Sequence, residues 1–491
     1  MSRVLSNYTS FAVAFEASLG TLPGSPSWHL MEPNTVPKGG PEVSKVTREP
    51  LSKRRQNQKG GVTDLDSSWQ AELDATREHL LYLLPPAMYT VWTGPRTYVP
   101  TAVTSTGYTV AANGDLPAGT LIVASGLATA ANNSPTTFKV VGAASTGTEI
   151  KTSGLTAEAA IPAAQNALVE VAGVRGAVGD ITIASGNLVS TILDWTTLRL
   201  HVGMFIWIGG ATANTFVTAA DRGLARITSI SATTLGLDKK SSTFVNDNGA
   251  TKLIDIYFGR WARNVDVDDS EFSEQTLQVE TRFHDLNGVG TPEYTYAKGN
   301  LVDEMALGFS GQDKATMSLT LTGTDTPIPA ITRATGGATP ILPVQVKMFN
   351  TSSDLTRLRV TEADETGVTS DLTEMTLTLG NNVDPEKVLG TLGARFMNSG
   401  NFDVTAETTC VLTSSEVIAA VRDNRDMTME IGFRNADGGF VFDLPLITLG
   451  DGTPDFTPDQ SVRVKLKLEA VESPSLGYTM SVSCFPYLPE A

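Results

Sequence analysis

Five stretches in the second half of the chain alternate apolar and polar residues with a period of two. Met317, Leu319 and Leu321 alternate with Ser318 and Thr320, and Met375, Leu377 and Leu379 with Thr376 and Thr378. Phe402, Val404 and Ala406 alternate with Asp403 and Thr405, and Met429, Ile431 and Phe433 with Glu430 and Gly432. Val462, Val464, Leu466 and Leu468 alternate with Arg463, Lys465 and Lys467. A strand points successive side chains to opposite faces, so each run predicts one face on a core and one face in water, as antiparallel sheets commonly have. The NADGG run from Asn435 to Gly439 is a turn signal, and residues 440–444 begin the returning strand. One helical signal interrupts the strands. Thr413-Ser-Ser-Glu416 reads as a capping box, with Val417, Ile418 and Val421 as its apolar stripe. The expected fold class is mainly β, an antiparallel β-sandwich or partly closed barrel with one or two short helices and inserted β-rich modules.

Composition narrows the function. The 491 residues carry a net charge of −17. General nucleic-acid binders are usually basic, so tight binding of DNA or RNA is disfavoured. A passage through which DNA slides is compatible with this charge, because an acidic wall repels phosphate. The two cysteines, Cys410 and Cys484, each sit in a strand-like run and read as buried core thiols. The first twenty residues lack a signal-peptide core, and no run reaches the roughly 18 apolar residues of a membrane span. The expectation is a soluble protein made in a cytoplasm, with no membrane anchor.

The front of the chain is different in kind. Residues 38–61, KGGPEVSKVTREPLSKRRQNQKGG, hold Lys38, Lys45, Arg48, Lys53, Arg54, Arg55 and Lys59 against Glu42 and Glu49. The tract has no hydrophobic periodicity. It can be read as a phosphate contact, as a solvated loop, or as an arm that pairs with acidic surfaces on neighbouring copies. The acidity of the remaining chain favours the arm. A strand-like run, VTDLDSSWQAELD, follows, and then a short helix, ATREHLLYLL. Asp74 is its candidate N-cap, Leu80, Leu81, Leu83 and Leu84 its apolar face, and Pro85 and Pro86 its stop. A helix this short must pack on a sheet to persist.

From residue 101 to 254 the chain turns rich in Ala, Gly, Thr, Asn and Ser and poor in charge. It contains a repeat of the form L-x-x-G-x-x-I-x-x-x-G, from Leu116 to Gly126 and from Leu200 to Gly210. This suggests two related β modules. The expected organisation is a first part of the main domain at 1–100, inserted modules at 101–177 and 178–254, and the second part of the main domain at 255–491.

Signs of catalysis are lacking. None of the four histidines lies in H-E-x-x-H, and there is no G-x-S-x-G elbow or phosphate loop. Gly288-Val-Gly290 runs into Thr-Pro, which does not open a dinucleotide-binding helix. His284-Asp285 beside Arg282 reads as structural. Asp266, Asp268, Asp269, Glu271 and Glu274 form an acidic patch without the glycine and glutamate that a calcium loop needs at its sixth and twelfth positions. It reads as a solvated face or as a partner for the basic arm. No catalytic residue, metal site or cofactor is expected, and the chain does not read as an enzyme.

The order of these features resembles the major tail tube proteins of long-tailed, siphovirus-like bacteriophages. The opening strand runs into F-E-x-x-x-G-x-x-P at Phe15–Pro23, a long charged loop precedes a strand ending in Glu72, and a leucine-rich helix follows. Later come EMTLTLGNN from Glu374, the helix near Glu416, the glycine hairpin, the FDLPLI run around Pro445 and a closing strand pair. The likeness covers residues 1–95 and about 255–491. It implies a structural virion protein of a non-contractile tail, made in the host bacterial cytoplasm, whose hexameric rings stack into the conduit for genome ejection. The implied partners are further copies of the chain, the tape measure, tail terminator and distal tail proteins, and double-stranded DNA in transient, non-specific passage. The alternative reading is a virion decoration protein or a carbohydrate-binding adhesin of β-sandwich type, and its support is the 101–254 region.

Overall fold

The computed structural model describes residues 9–48, 58–94, 97–112, 116–134, 139–142, 145, 147–162, 166–210, 213–241, 243–284, 291–325, 328–330, 332–334, 346–362, 367–369 and 371–489. Lys53, Arg54, Arg55, Asp285 and the Gly288–Gly290 run lie outside them.

The alternating runs form the strands expected of them. A first sheet orders Lys38–Arg48, Gln58–Asp74, Thr316–Gly323, the second half of Glu293–Ser310, Leu372–Gly380, Asp403–Val411 and Arg463–Ala470, each antiparallel to the next. A second layer orders Leu355–Glu362, Met427–Asn435, Gly438–Gly450, Ser481–Phe485 and Arg260–Arg263. The strand Gly438–Gly450 passes from one layer to the other, pairing first with Ser481–Phe485 and then with Arg463–Ala470. Leu319, Leu377, Val404 and Leu466 of the first layer share one core with Met429, Ile431, Phe440 and Val482 of the second. This is a mainly β, antiparallel sandwich, and among the described residues no sheet closes into a barrel.

The two layers differ in one respect that alternation does not predict. Met427–Asn435 is buried on both faces over most of its length, and Glu430 and Asp443 are as buried as their apolar neighbours. The expectation of a wet face for the Met429–Phe433 run is therefore corrected. Residues 97–258 lie over that face.

Those residues build a ten-stranded sheet and a three-stranded one around their own core, which includes Tyr108, Trp195 and Phe216. The two halves of the sequence repeat enter their strands alike. Gly119 (φ +91°) precedes Thr120–Ser125, and Gly203 (φ +94°) precedes Phe205–Ile208 by one residue. A side chain is strained at either glycine. Leu168–Arg175 pairs with both Thr120–Ser125 and Asp255–Tyr257, and Asp255–Tyr257 pairs in turn with Phe205–Ile208, so stretches 101–177 and 178–254 meet in one sheet and one core.

Helix α1 spans Arg77–Ala87. Its N-cap is Thr76, whose hydroxyl accepts from the His79 N–H, and not Asp74. Asp74 is still in the strand, opposite Thr316, and its carboxylate takes Lys314 at 2.7 Å. Pro85 and Pro86 lie inside the last turn and do not stop the helix before it. Pro85 has no N–H to offer the Leu81 carbonyl, and the Trp92 indole N–H donates to that carbonyl at 2.8 Å. Leu80, Leu83 and Leu84 are buried in the sandwich core, with Leu81 packed against it. Helix α2 spans Glu416–Arg422. The capping box does not form: Ser415 is the N-cap without a side-chain bond, and the Glu416 carboxylate turns to Arg425 at 3.2 Å. Val417 and Ala420 are the buried positions, Val421 packs beside them, and Ile418 is 37% exposed, which corrects the expected stripe. Cys410 and Cys484 are buried and unpaired.

Candidate assembly surfaces

The described residues of the basic tract do not form an irregular loop. Lys38–Arg48 and Gln58–Asp74 pair as a long hairpin that starts on the sandwich and leaves it. Near the sandwich, Trp69, Ala71 and Leu73 fill the core. Farther out Val43, Val46 and Val62 are exposed, as are Lys45, Arg48 and Lys59. Hydrophobic periodicity was no guide here because neither face of the outer hairpin meets a core. Lys38 is also exposed, at the hairpin's base opposite Gln70. Lys387 braces the hairpin, its ammonium 2.6 Å from Asp64 and 2.5 Å from Asp66. That hydrogen bond holds the Asp64 carboxyl below the usual carboxylate range. Nothing in the sequence marks Lys387, which lies more than three hundred residues from its partners.

The outer face of the first sheet is wet. One row across it reads Glu72, Ser318, Ala306, Thr378, Thr405 and Glu469. The next reads Asp74, Thr316, Gly308, Thr376, Glu407 and Lys467. The middle is small and hydroxyl-rich. Exposed carboxylates at Asp66, Glu72, Glu304, Glu374, Asp403, Glu407 and Glu469 outnumber the cations, which are Lys38 at one edge and Arg463, Lys465 and Lys467 on the strand at the other.

The second layer is fastened to residues 97–258 by buried ion pairs. Glu170 accepts from Arg77 of α1 at 3.0 Å and from Arg260 at 2.8 Å. Burial pushes the Glu170 carboxyl up, but the two guanidinium groups outweigh it and hold the pKa below the ordinary value. Arg226 bridges Asp238 at 2.7 Å and the fully buried Asp443 at 2.9 Å. Arg357 pairs with Glu430 and donates to the Lys239 carbonyl at 2.7 Å. Phe205 and Leu224 pack on Val441, Phe485 and Leu488 between these pairs.

The acidic patch has a cation of its own chain. Arg263 lies 3.0 Å from Asp269 and 3.6 Å from Glu271. Asp266, Asp268 and Glu274 face solvent. Among the described residues no group of three or more His, Cys, Asp or Glu is placed to hold a metal ion, and no helix is long and apolar enough to cross a membrane. The histidines near α1 are packing groups. His29 stacks on Tyr82 with ring centroids 4.5 Å apart, and burial, aided by His79, lowers its pKa to about 3.

Comparison with known families matches residues 6–471 to the family described as phage tail tube protein. No curated protein matches the chain.

Proposed function

The chain belongs to the phage tail tube protein family, and from that premise we propose that it closes into hexameric rings that stack into a hollow tube. The family makes it a structural component of the virion tail. In our reading the tube is a non-contractile, siphovirus-like conduit for genome ejection, made from subunits synthesised in the host cytoplasm. The tape measure, tail terminator and distal tail proteins are its neighbours.

The observation that carries this reading is the family match over nearly the whole chain. Three features support it. The outer edge of Lys38–Arg48 pairs with no other described strand, and ring closure removes such edges. The basic hairpin projects from an otherwise acidic chain, which suits contact with a neighbouring copy. The hydroxyl-rich, acidic outer face of the first sheet suits a lumen wall, because it offers phosphate few cations and lets double-stranded DNA pass without binding. The 97–258 unit then faces outward, where a contractile sheath would leave it little room.

Electron microscopy of the purified full-length chain tests the proposal. Rings or tubes about 100 Å wide are expected, from six domains of ordinary radius around a channel. A chain that stays monomeric at high concentration and under tail-assembly conditions overturns it.

A further inference from the structure

The strands of the first sheet have two unlike ends. Beyond Gly323 and Gly380 two hairpins leave the sandwich together. One is the basic arm. The other is formed by Asp384–Glu386 and Phe396–Asn398, and Lys387 ties it to the arm through Asp64 and Asp66. The tip of this second hairpin carries uncovered apolar side chains: Leu389 is 105% exposed and Leu392 is exposed with it, and Phe396, below the tip, is exposed beside the Arg395 guanidinium. Burying one such side chain contributes about 1.5–3 kcal/mol, so three of them on a two-stranded ribbon mark a surface that gains much from a partner.

At the opposite end of the same strands the mouth between the two layers is open. A hollow of about 60 Å³ lies in this mouth, and a second of about 280 Å³, which shares Phe309, Ser310, Glu374 and Met375 with it, opens beside it on the outer face of the first sheet. Phe309 stacks on Phe433 at 4.8 Å, and Leu358 and Leu372 are half-exposed beside them. Glu374, Glu407 and Asp451 edge the larger hollow together with Lys465 and Lys467, and Glu407 lies 3.5 Å from Lys467. The hairpins at the first end bring Lys45, Arg48, Lys59 and Arg395.

We propose that the apolar tip around Leu389 of one copy docks in the mouth around Phe309 and Leu372 of a second copy, with the basic arm beside Glu374 at its rim. The two surfaces lie at opposite ends of one sheet, so the contact is heterologous. Each bound copy still offers a free tip or a free mouth, and the contact propagates as an open stack. This rests on the tube-subunit reading and adds to it which ends of the subunit meet between rings.

The test is a disulfide between copies. Cys484 is buried, and Cys410, which lies opposite Leu372 on the neighbouring strand, is replaced by Ala in every variant so that it does not compete. In tubes of a Leu389→Cys, Leu372→Cys double variant, oxidation is expected to give a ladder of covalent multimers linked from position 389 to position 372. Neither single variant should give it. Leu389→Asp, at a side chain with no intramolecular cover, is expected to leave the melting temperature unchanged. It should raise the concentration needed for tubes at least about tenfold, equivalent to 1.4 kcal/mol per contact. Normal tubes from Leu389→Asp without a ladder from the double variant overturn the docking and leave the tube reading standing. Dimers from Leu389→Cys alone mean that tips meet tips, and they also overturn it. Absence of any ring or tube from the unaltered chain removes the tube reading itself, and this proposal with it.

Discussion

The two layers of the sandwich share one core but differ in what lies behind them. Behind the first is water, and its strands keep Thr, Ser and carboxylate side chains on that side. Behind the second is the 97–258 unit, and the same kind of strand there buries Glu430 and Asp443 against Arg357 and Arg226. A buried carboxylate without its guanidinium is costly, whereas an exposed one is nearly neutral. Residues 97–258 are therefore not an appendage on a finished sandwich. They complete the polar pairing of the second layer, and removing them takes Arg226 from Asp443 and Glu170 from Arg77.

The sharpest way to break this contrast is Arg226→Ala. It strips the buried Asp443 of its cation and is expected to cost about 3–5 kcal/mol in denaturant unfolding. Arg226→Met combined with Asp443→Leu should recover most of that loss, because the apolar pair needs no charge compensation. Loss of less than about 1 kcal/mol in the single variant would mean that the second layer is wetter than its burial implies.

Acid should distinguish the layers next. Glu170 has a folded-state pKa below its unfolded value of about 4.3. Its stabilisation is present above the unfolded pKa and is lost as pH falls through the folded one. Melting curves of the parent and Glu170→Gln should therefore be well separated near neutral pH and converge as pH drops below about 4. A constant separation down to low pH would show that the Arg77 and Arg260 pairs do not act through the Glu170 charge.

The smallest effect is expected on the wet face. Glu407 and Lys467 lie 3.5 Å apart, both largely exposed. Glu407→Gln should change stability by no more than about 0.5 kcal/mol. A larger change in the isolated chain would mean that this face is already covered by something.

Much of the first layer was legible because alternation reports burial directly when one face meets a core and the other meets solvent. The hairpin turn at Asn435–Gly439, the helix at residue 80 and the entry of both repeat halves through a glycine rested on equally local rules. The basic arm kept its charge but gained strands, since a ribbon that buries neither face carries no periodic signal. Thr76 as the cap of α1 was missed because Asp74, the better cap by composition, is held in the strand by its pairing with Thr316. Leu389, Leu392 and Phe396 of the second hairpin read in sequence as ordinary core residues, and only their position off the sheet shows otherwise.

The amino-acid sequence by itself determined the β character of this chain, the strands of its alternating runs, its acidic balance and its basic arm, because these follow from side-chain alternation and charge within a few residues. The tertiary structure alone decided which face of which sheet is wet, which carboxylates are paired, and which ends of the subunit are apolar. Those properties depend on side chains as distant as Glu170 and Arg77, or Lys387 and Asp64, and no local pattern encodes who will stand behind a strand.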